Sequence, residues 1–337
     1  MGRDVLGTFL ACEAESRFGP RAETLTRRHP LLAIGYCLFA QRYSNYRPMK
    51  KLVVLGVLFP VMLLTSSIAA AFDLSKVHHL VVFGDSLSDN GNSYAAVGLP
   101  KPPYYEGRWS NGYNWVDYFT RIAGLPPATA YLENGGTNFA VGGSTSELLG
   151  AQILVYLATV SGSPDPNDLF VIWIGANDFL AGIQPDVTSG AIAAEITVLS
   201  LAGAQQFLVI NVPDISLTPN IIAMGTADVQ AAKQFVATVN SQLQTEIPFL
   251  ATLYGVKIDL IDVDPLFTEL VNDPGAFGFK NSTGEAYNPS TGKEVKHPNR
   301  YVFWDGFHPT TRAHKLAAET FEKDAAAADA IQLGANP

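Results

Sequence analysis

The chain has 337 residues, of which 47% are hydrophobic and 16% are charged, and its formal net charge is −9. This length and apolar content are typical of a globular protein with a sizeable buried core. The acidic balance argues against nucleic acid and against anionic lipid as partners held by electrostatic attraction.

The first 71 residues are predicted to lie outside the mature protein. Residues 1–48 are rich in arginine and show no sustained apolar periodicity. Met49-Lys50-Lys51 then precedes the apolar run Leu52–Leu64 and a small-residue stretch ending at Ala71, the three parts of a secretory signal peptide. A membrane anchor is the alternative, but this apolar core is shorter than the roughly 20 residues that span a bilayer. We therefore expect translation to start at Met49, residues 1–48 to be a mis-extended N-terminus with no part in the fold, and cleavage after Ala71.

Removal of residues 1–71 would change the composition of the protein. Cys12 and Cys37 both precede the signal peptide, so the mature chain would contain no disulfide, thiolate nucleophile or cysteine metal site. Residues 72–337 carry 13 Lys and Arg against 27 Asp and Glu, a net charge of −14. We expect a single secreted or periplasmic domain with no nucleic-acid partner, no membrane span and no cofactor. The sequence does not predict an oligomeric state.

Five apolar runs in the mature chain predict buried strands of a parallel sheet. These runs are Leu80–Phe83, Asn138–Thr145, Asp168–Ile174, Gln206–Val212 and Val256–Val263. Helical patterns cover Trp115–Ile122, Glu147–Val160, Thr188–Gly203, Ala227–Leu253 (interrupted near Pro248), Pro265–Val271 and Thr311–Ala328. The polar residues 273–300 are predicted to form a solvated loop. Because strands alternate with helices, we expect an α/β fold whose parallel sheet is covered on both faces.

The first predicted strand stops abruptly at Gly84 and is followed by Asp85 and Ser86. Ligands of open α/β sheets bind beyond the carboxyl ends of the strands, so Ser86 lies where a reacting group is expected. A Gly-Asp-Ser sequence on its own is more often a helix N-cap. Its interpretation as a nucleophile therefore depends on a base, an orienting acid and hydrogen-bond donors elsewhere in the chain.

One histidine has the setting of a catalytic base, which a serine nucleophile needs and which a third group must orient. His308 stands in a loop just before a helix, and Asp305 precedes it by three residues. That spacing can bring the Asp305 carboxylate onto Nδ1 of His308 and leave Nε2 free for Ser86. Zinc binding by this pair is the alternative, but no third ligand stands at a characteristic spacing. The other four histidines of the mature chain, which precede the first strand or lie in the polar loop or the last helix, are His78, His79, His297 and His314.

Two further strand ends carry groups that could bind a reacting oxygen. Gly142 and Gly143 end the second predicted strand, where glycines let the backbone approach a ligand but are also typical of a tight turn. Asn177 and Asp178 follow the third predicted strand, and such side chains either form Asx turns or donate hydrogen bonds to a substrate. The residues alone leave both interpretations open.

Taken together and in order, four blocks resemble the GDSL family of serine esterases and lipases, in the SGNH-hydrolase superfamily. They are Gly84-Asp85-Ser86-Leu87-Ser88, the Gly143 turn after Asn138, Gly175-Ala176-Asn177-Asp178, and Asp305-Gly306-Phe307-His308. Each block is weak alone, but the set spans most of the mature chain. The segment Gly107-Arg108-Trp109-Ser110-Asn111-Gly112 is similar to one in the longer, plant-type and lecithinase-like members.

The resemblance implies a flavodoxin-like three-layer α/β/α sandwich, here with a five-stranded parallel sheet. It implies Ser86 as nucleophile, His308 as base and Asp305 as the group that orients the base. The main-chain N–H groups of Ser86 and Gly143 and the side-chain amide of Asn177 would form the oxyanion hole, with no metal or cofactor.

The expected activity is hydrolysis of carboxylic esters, either acyl lipids or small acyl esters, through an acyl-enzyme. Acyl transfer to an alcohol and deacetylation of polysaccharide are alternatives at the same site. A non-catalytic binding or membrane-damaging protein is an alternative of another class. A fold does not select a substrate, so acyl-chain length and head group stay open.

Overall fold

The computed structural model describes residues 72–332, so the predicted signal peptide at 49–71, residues 1–48 and both cysteines lie outside the described residues. The helices are α1 Asn92–Val97, α2 Trp115–Ile122, α3 Tyr131–Asn134, α4 Leu149–Thr159, α5 Ala176–Ala181, α6 Pro185–Ala202, α7 Pro219–Met224, α8 Thr226–Tyr254, α9 Asp264–Asn272 and α10 Thr311–Gln332. The strands are β1 Leu80–Gly84, β2 Leu169–Trp173, β3 Gln206–Ile210, β4 Lys257–Ile261, β5 Asn281–Glu285, β6 Tyr287–Asn288, β7 Lys293–Glu294 and β8 Tyr301–Phe303.

The central sheet has four strands in the order β1-β2-β3-β4. All neighbours in it are parallel, with Leu80 opposite Leu169, Phe170 opposite Phe207, and Phe207 opposite Ile258. The strands are short and almost wholly buried, as expected for a sheet covered on both faces. The predicted parallel α/β fold is confirmed.

The second predicted strand, Asn138–Thr145, is only partly formed. The Phe139 N–H donates to the Val82 carbonyl at 2.7 Å, which places this segment along the free edge of β1. The Gly84 N–H, which would continue the pairing, donates instead to Oε1 of Gln152 at 2.8 Å. The prediction of five regular strands is therefore wrong by one. Counted as a partial second strand, the segment completes the order 2-1-3-4-5 of flavodoxin-like sheets.

Helices pack on both faces of the sheet and give the three-layer α/β/α arrangement. Successive strand residues point to opposite faces, so Phe83 lies in one core with α4, α6 and α8, whereas Val82 lies in another with α2 and α10. The carboxyl ends of the strands stay open between these two layers, and the polar strand-end residues lie there.

Helix α8 runs unbroken from Thr226 to Tyr254, which corrects the predicted interruption near Pro248. A proline removes one main-chain hydrogen bond and usually kinks or ends a helix. Pro248 is exposed, whereas Ile247 and Leu250 beside it are buried in the core. Because most helix stability in proteins comes from packing of the apolar face, these contacts carry the helix past the proline.

Residues 273–300 are not simply a solvated loop, as predicted. They contain β5, which pairs in parallel with β8, and the antiparallel pair β6 and β7. The β5 sequence Asn-Ser-Thr-Gly-Glu has no apolar alternation, so the sequence carries no strand signal. The pairing matters because β8 leads directly into the loop that carries Asp305 and His308.

Within residues 72–332, no helix combines the length and apolar character required to cross a bilayer. In the same range, no group of three His, Cys, Asp or Glu side chains is placed to hold a metal ion.

Candidate active site

Ser86 lies two residues beyond the end of β1, in a tight polar turn. The Asp85 carboxylate shapes this turn, because its Oδ1 accepts the Leu87 N–H at 2.9 Å while the Asp85 carbonyl accepts the Ser88 N–H at 3.1 Å. Helix α1 begins only at Asn92, so neither Asp85 nor Ser86 caps it. The turn therefore presents the serine side chain rather than starting a helix.

The loop between β8 and α10 holds Asp305 and His308 in one turn of chain. Oδ1 of Asp305 accepts the main-chain N–H groups of Phe307 at 2.9 Å and His308 at 2.8 Å. The ring Nδ1 of His308 lies 2.7 Å from Oδ2 of the same carboxylate. On the other side of the ring, Nε2 lies 2.9 Å from Oγ of Ser86. The structure thus brings Ser86, His308 and Asp305 into one hydrogen-bonded chain.

The electrostatics of this chain favour an ionised Asp305. Burial on its own would raise the pKa of Asp305, but the His308 charge and the hydrogen bonds from His308 and Tyr104 outweigh it and hold that pKa at about 2. Burial lowers the pKa of His308, whereas the Asp305 carboxylate and, further away, Asp85 raise it, and the net shift is upward. His308 is therefore a stronger base than a solvent-exposed imidazole.

Candidate hydrogen-bond donors lie at Ser86 itself and at the ends of the two neighbouring strand segments. Within residues 72–332, the main-chain N–H groups of Ser86 and Gly143 donate to no acceptor. Asn177, in the first turn of α5 after β2, donates from Nδ2 to the Ser144 carbonyl at 3.0 Å. An amide nitrogen carries two hydrogens, so a second donor is left on Asn177. These are the three groups that the resemblance implied for an oxyanion hole.

The Gly142-Gly143 turn requires both of its glycines. A Cβ on Gly142 would fall 2.3 Å from Nε1 of Trp109, so only glycine allows that indole to approach the backbone. Gly143 has a φ of +80°, in the left-handed region that L side chains rarely adopt.

Two buried polar side chains that the sequence analysis did not identify fix this turn against β1. Nε2 of Gln152, on α4, donates to the Gly84 carbonyl at 2.7 Å and to Oγ of Ser144 at 3.2 Å. Asp89 accepts the Gly142 N–H at 2.9 Å through Oδ2. The sequence does contain a pattern that could have identified Gln152, since it is a polar residue inside the otherwise apolar run Leu149–Tyr156.

The loop before α2, which is rich in tyrosine and proline, lies against Asp305 and His308. The Tyr104 hydroxyl donates to Oδ2 of Asp305 at 2.6 Å, and the Trp109 ring lies over the His308 ring with their centroids 5.3 Å apart. The sequence analysis above gives Tyr104 no role.

The segment resembling plant-type members anchors the histidine loop. Oγ of Ser110 donates to the Pro309 carbonyl at 2.8 Å, and Oδ1 of Asn111 accepts the Thr311 N–H at 2.8 Å. Both contacted residues, Pro309 and Thr311, follow His308 closely in the sequence, so this segment helps to set the position of the imidazole.

A cavity of about 170 Å³ opens beside Ser86, Asn177 and His308. Its wall is mostly apolar and includes Leu180, Ile215, Ile221, Leu266, Phe267 and Leu270. A concave apolar site with a few convergent polar groups is the usual form of a small-molecule site.

The remaining histidines do not join this site as bases. Nδ1 of His78 lies 2.8 Å from Asp165, and Nδ1 of His79 lies 3.0 Å from Asp168, before the amino ends of the strands. His297 is exposed, next to a short 3₁₀ turn. His314 lines the cavity but forms no hydrogen bond with Ser86 or Asp305.

The chain is similar to several known proteins. Residues 80–321 match the family model of GDSL-like lipase/acylhydrolase. The chain is 29% identical over 280 residues to a thermolabile hemolysin of Vibrio parahaemolyticus, covering 74% of this chain and 64% of the hemolysin. It is 28% identical over 320 residues to a phosphatidylcholine-sterol acyltransferase of Aeromonas hydrophila, covering 76% and 92% of the two chains. A solved structure of a lipolytic G-D-S-L protein from Veillonella parvula aligns with a TM-score of 0.44 at 16% identity, covering 72% of this chain and 95% of that one.

The family match covers well over half of the chain and includes all four blocks that carry the resemblance. The chain therefore belongs to the GDSL-like lipase/acylhydrolase family, a family of carboxylic ester hydrolases.

Proposed function

We propose that this protein is a serine esterase or lipase in which Ser86 is the nucleophile, His308 the general base and Asp305 the orienting acid. The observation that carries the proposal is the continuous hydrogen-bonded chain from Oγ of Ser86 through His308 to Asp305. A serine hydroxyl is unreactive unless a positioned base removes its proton, and this chain supplies that base in a fixed tautomer.

In the proposed reaction, Oγ of Ser86 attacks the ester carbonyl while Nε2 of His308 takes the hydroxyl proton. The carbonyl oxygen becomes negative and is stabilised by the N–H groups of Ser86 and Gly143 and by the Asn177 amide. His308 then gives its proton to the leaving alcohol, which leaves an acyl group on Ser86. Water, activated by the same imidazole, releases the acid.

The substrate that suits this site has an apolar chain. The cavity beside Ser86 is lined mainly by aliphatic and aromatic side chains, which supports an acyl lipid or a medium-chain ester over an acetylated polysaccharide. The net charge of residues 72–337 disfavours anionic head groups.

Acyl transfer is the second candidate, and one specific observation favours it. The Aeromonas protein that is 28% identical to this chain, with 92% of its length covered, is a phosphatidylcholine-sterol acyltransferase. Transfer needs only that an alcohol reaches the acyl-enzyme before water does. Incubation with an ester and a sterol or fatty alcohol, followed by analysis for a new ester, separates the two reactions.

We also propose that the enzyme is exported as a single domain, residues 72–337, after removal of a signal peptide at 49–71. The sequence of residues 49–71 supports export. Mass spectrometry of the exported protein tests this, and a mature N-terminus upstream of Met49 would overturn it.

The test of the catalytic proposal is the substitution Ser86→Ala, assayed on p-nitrophenyl esters and with a fluorophosphonate probe. We expect turnover and probe labelling to disappear while the melting temperature stays within about 2 °C, because Ser86 makes no core contact. Ser75→Ala is the matched control, since Ser75 is exposed and bonds only to Asp73. Full activity of Ser86→Ala would eliminate Ser86 as the nucleophile.

A further inference from the structure

His314 is a buried histidine that the proposed mechanism does not use. It lies in the first turn of α10, is only 2% exposed, and lines the same cavity as Ser86 and His308. Its neighbours on that face of the helix, Ala313 and Ala317, also line the cavity and are small. The imidazole is therefore a polar group in a predominantly apolar wall.

No hydrogen bond joins either ring nitrogen of His314 to another group in the part of the chain that the structure describes. By contrast, His78, His79 and His308 each have a carboxylate partner. Buried polar groups in native proteins are nearly always paired, so an unpaired one next to a cavity requires an explanation.

The imidazole is neutral under physiological conditions. Burial, with a smaller contribution from the nearby His308 charge, lowers the pKa of His314 to about 3. A neutral imidazole carries one N–H donor and one nitrogen acceptor. It can therefore bond to a hydroxyl in either direction, or donate to a carbonyl oxygen, without placing a charge in the apolar cavity.

We propose that His314 determines specificity by hydrogen bonding to a hydroxyl or keto group on the apolar chain of the ester substrate. This inference rests on the proposed esterase function and narrows its substrate class to esters of oxygenated, medium-length chains. The site suits such a substrate for two reasons. The apolar wall around His314 accepts the methylene groups of the chain. His314 offers a hydrogen bond to the hydroxyl or keto oxygen, which loses its hydrogen bonds to water when the chain enters the cavity.

The oxygenated chain could belong to the acid or to the alcohol of the ester, so the test has two series. One series is methyl octanoate and methyl octanoates that carry a hydroxyl or keto group at each position along the chain. The other is octyl acetate and the corresponding hydroxyoctyl acetates. For each series the readout is the ratio of kcat/KM between the oxygenated and the plain ester.

For the wild-type protein we expect a ratio of about 5 to 10 for at least one position, the gain typical of one satisfied buried hydrogen bond. The series that shows this ratio identifies the part of the substrate that enters the cavity. His314→Leu should bring the ratio below 1, whatever its kcat/KM on the plain ester, and its melting temperature should not fall, because an unpaired polar group has been replaced by an apolar one. His314→Gln, which keeps a donor and an acceptor, should retain part of the preference.

A wild-type ratio of 1 or less at every position in both series would overturn the inference, as would an unchanged ratio in His314→Leu. Either result leaves the esterase proposal intact, because hydrolysis of the plain esters and its loss in Ser86→Ala report that proposal separately. If none of the esters, plain or oxygenated, is hydrolysed, both proposals fail together.

Discussion

The Tyr104 hydroxyl donates a 2.6 Å hydrogen bond to Oδ2 of Asp305, across a separation of 201 residues in the sequence. That oxygen is the one nearest to Nδ1 of His308, at 2.7 Å. Tyr104 therefore shares the Asp305 carboxylate with the His308 imidazole and weakens the attraction of that carboxylate for the His308 proton. We infer that Tyr104 is a positioning residue, since it acts on the triad through Asp305.

Substitution Tyr104→Phe should change both the rate and its pH dependence. Without the phenol donor, the pKa of Asp305 rises and the carboxylate binds the protonated imidazole more strongly, so the pKa of His308 also rises. We expect the acid limb of kcat/KM to move to higher pH and plateau kcat to fall by about tenfold, in line with one lost hydrogen bond to a charged group. A pH profile distinguishes this from a general loss of packing.

Tyr105→Phe is the matched control for Tyr104. Tyr105 stands next to Tyr104 in the same loop, but its ring contacts Tyr113 with centroids 5.4 Å apart rather than the triad. Its pH profile should match that of the wild type. A Tyr104→Phe profile that also matches the wild type would show that the phenol has no influence on the triad.

The activity should rise with pH through a midpoint above about 6.5, the ordinary pKa of histidine. His308 must be neutral to accept the Ser86 proton, and the Asp305 carboxylate raises the pKa of His308. Substitution Asp305→Asn removes that charge, so the midpoint should move to lower pH while kcat falls by about 10⁴. Measurement of kcat/KM from pH 5 to pH 9 checks both shifts.

His79→Gln is the control for this pH dependence, since His79 lies before β1 and pairs with Asp168 at 3.0 Å. It should leave the profile unchanged. A wild-type midpoint below 6.5, or an Asp305→Asn midpoint above that of the wild type, would contradict the assigned direction.

Gln152 should matter to catalysis although it does not reach the substrate. Its amide bonds to both main-chain groups of Gly84 and to Ser144, so it joins the strand that leads to Ser86 with the turn that carries Gly143. Gln152→Ala leaves the Gly84 N–H unpaired, although the Gly84 carbonyl still accepts the Val141 N–H at 3.1 Å, and should destabilise the fold by about 1–3 kcal/mol. We also expect kcat to fall more than KM changes, because the oxyanion donors lose their fixed spacing.

Gln234→Ala, on the exposed side of α8, is the control for Gln152, since its amide bonds only to Thr238. Urea unfolding and steady-state kinetics should leave this control close to the wild type. If Gln152→Ala were destabilised but kept full kcat, Gln152 would have a structural role alone.

The parts of the site that the sequence could predict are the parts that depend on local structure. Ser86 follows an apolar strand, and Asp305 and His308 share one turn of chain, so residue type and spacing were sufficient. Tyr104 and Gln152 reach the site through contacts over 201 and 68 residues, which only the packed fold creates. The partial strand at Asn138–Thr145 also depends on a contact that only the packed fold creates. Gln152 of α4 accepts the Gly84 N–H, which regular strand pairing would use.

Asn177→Ala should lower kcat by about 10²–10³, the usual cost of one oxyanion donor. The amide also donates to the Ser144 carbonyl at 3.0 Å, so some of the loss could come from movement of the Gly143 turn. Asn177→Asp keeps the size of the side chain but removes both hydrogen bonds, since a carboxylate cannot donate to the substrate or to the Ser144 carbonyl. We expect both variants to be equally slow, with KM nearly unchanged. Substantial activity in Asn177→Asp would exclude the amide as an oxyanion donor.

Chain-length preference should follow from the size of the cavity. An enclosed space of about 150 Å³ holds one benzene ring, so a cavity of about 170 Å³ accepts roughly six carbons of an apolar chain. We expect kcat/KM on p-nitrophenyl esters to rise from acetate to about octanoate and then to level off or fall towards palmitate. Each buried methylene contributes up to about 0.8 kcal/mol until the cavity is full.

Ala317→Leu tests whether this cavity, rather than an external surface, sets the preference. Ala317 lines the cavity from α10, and three added carbons there should shorten the preferred chain by about three carbons while acetate hydrolysis stays unchanged. Ala227→Leu, at an exposed position of α8, is the matched control and should leave the preference as it is. An unchanged chain-length optimum in Ala317→Leu would mean that the apolar chain binds elsewhere, because the added leucine side chain would displace any chain that occupied this cavity.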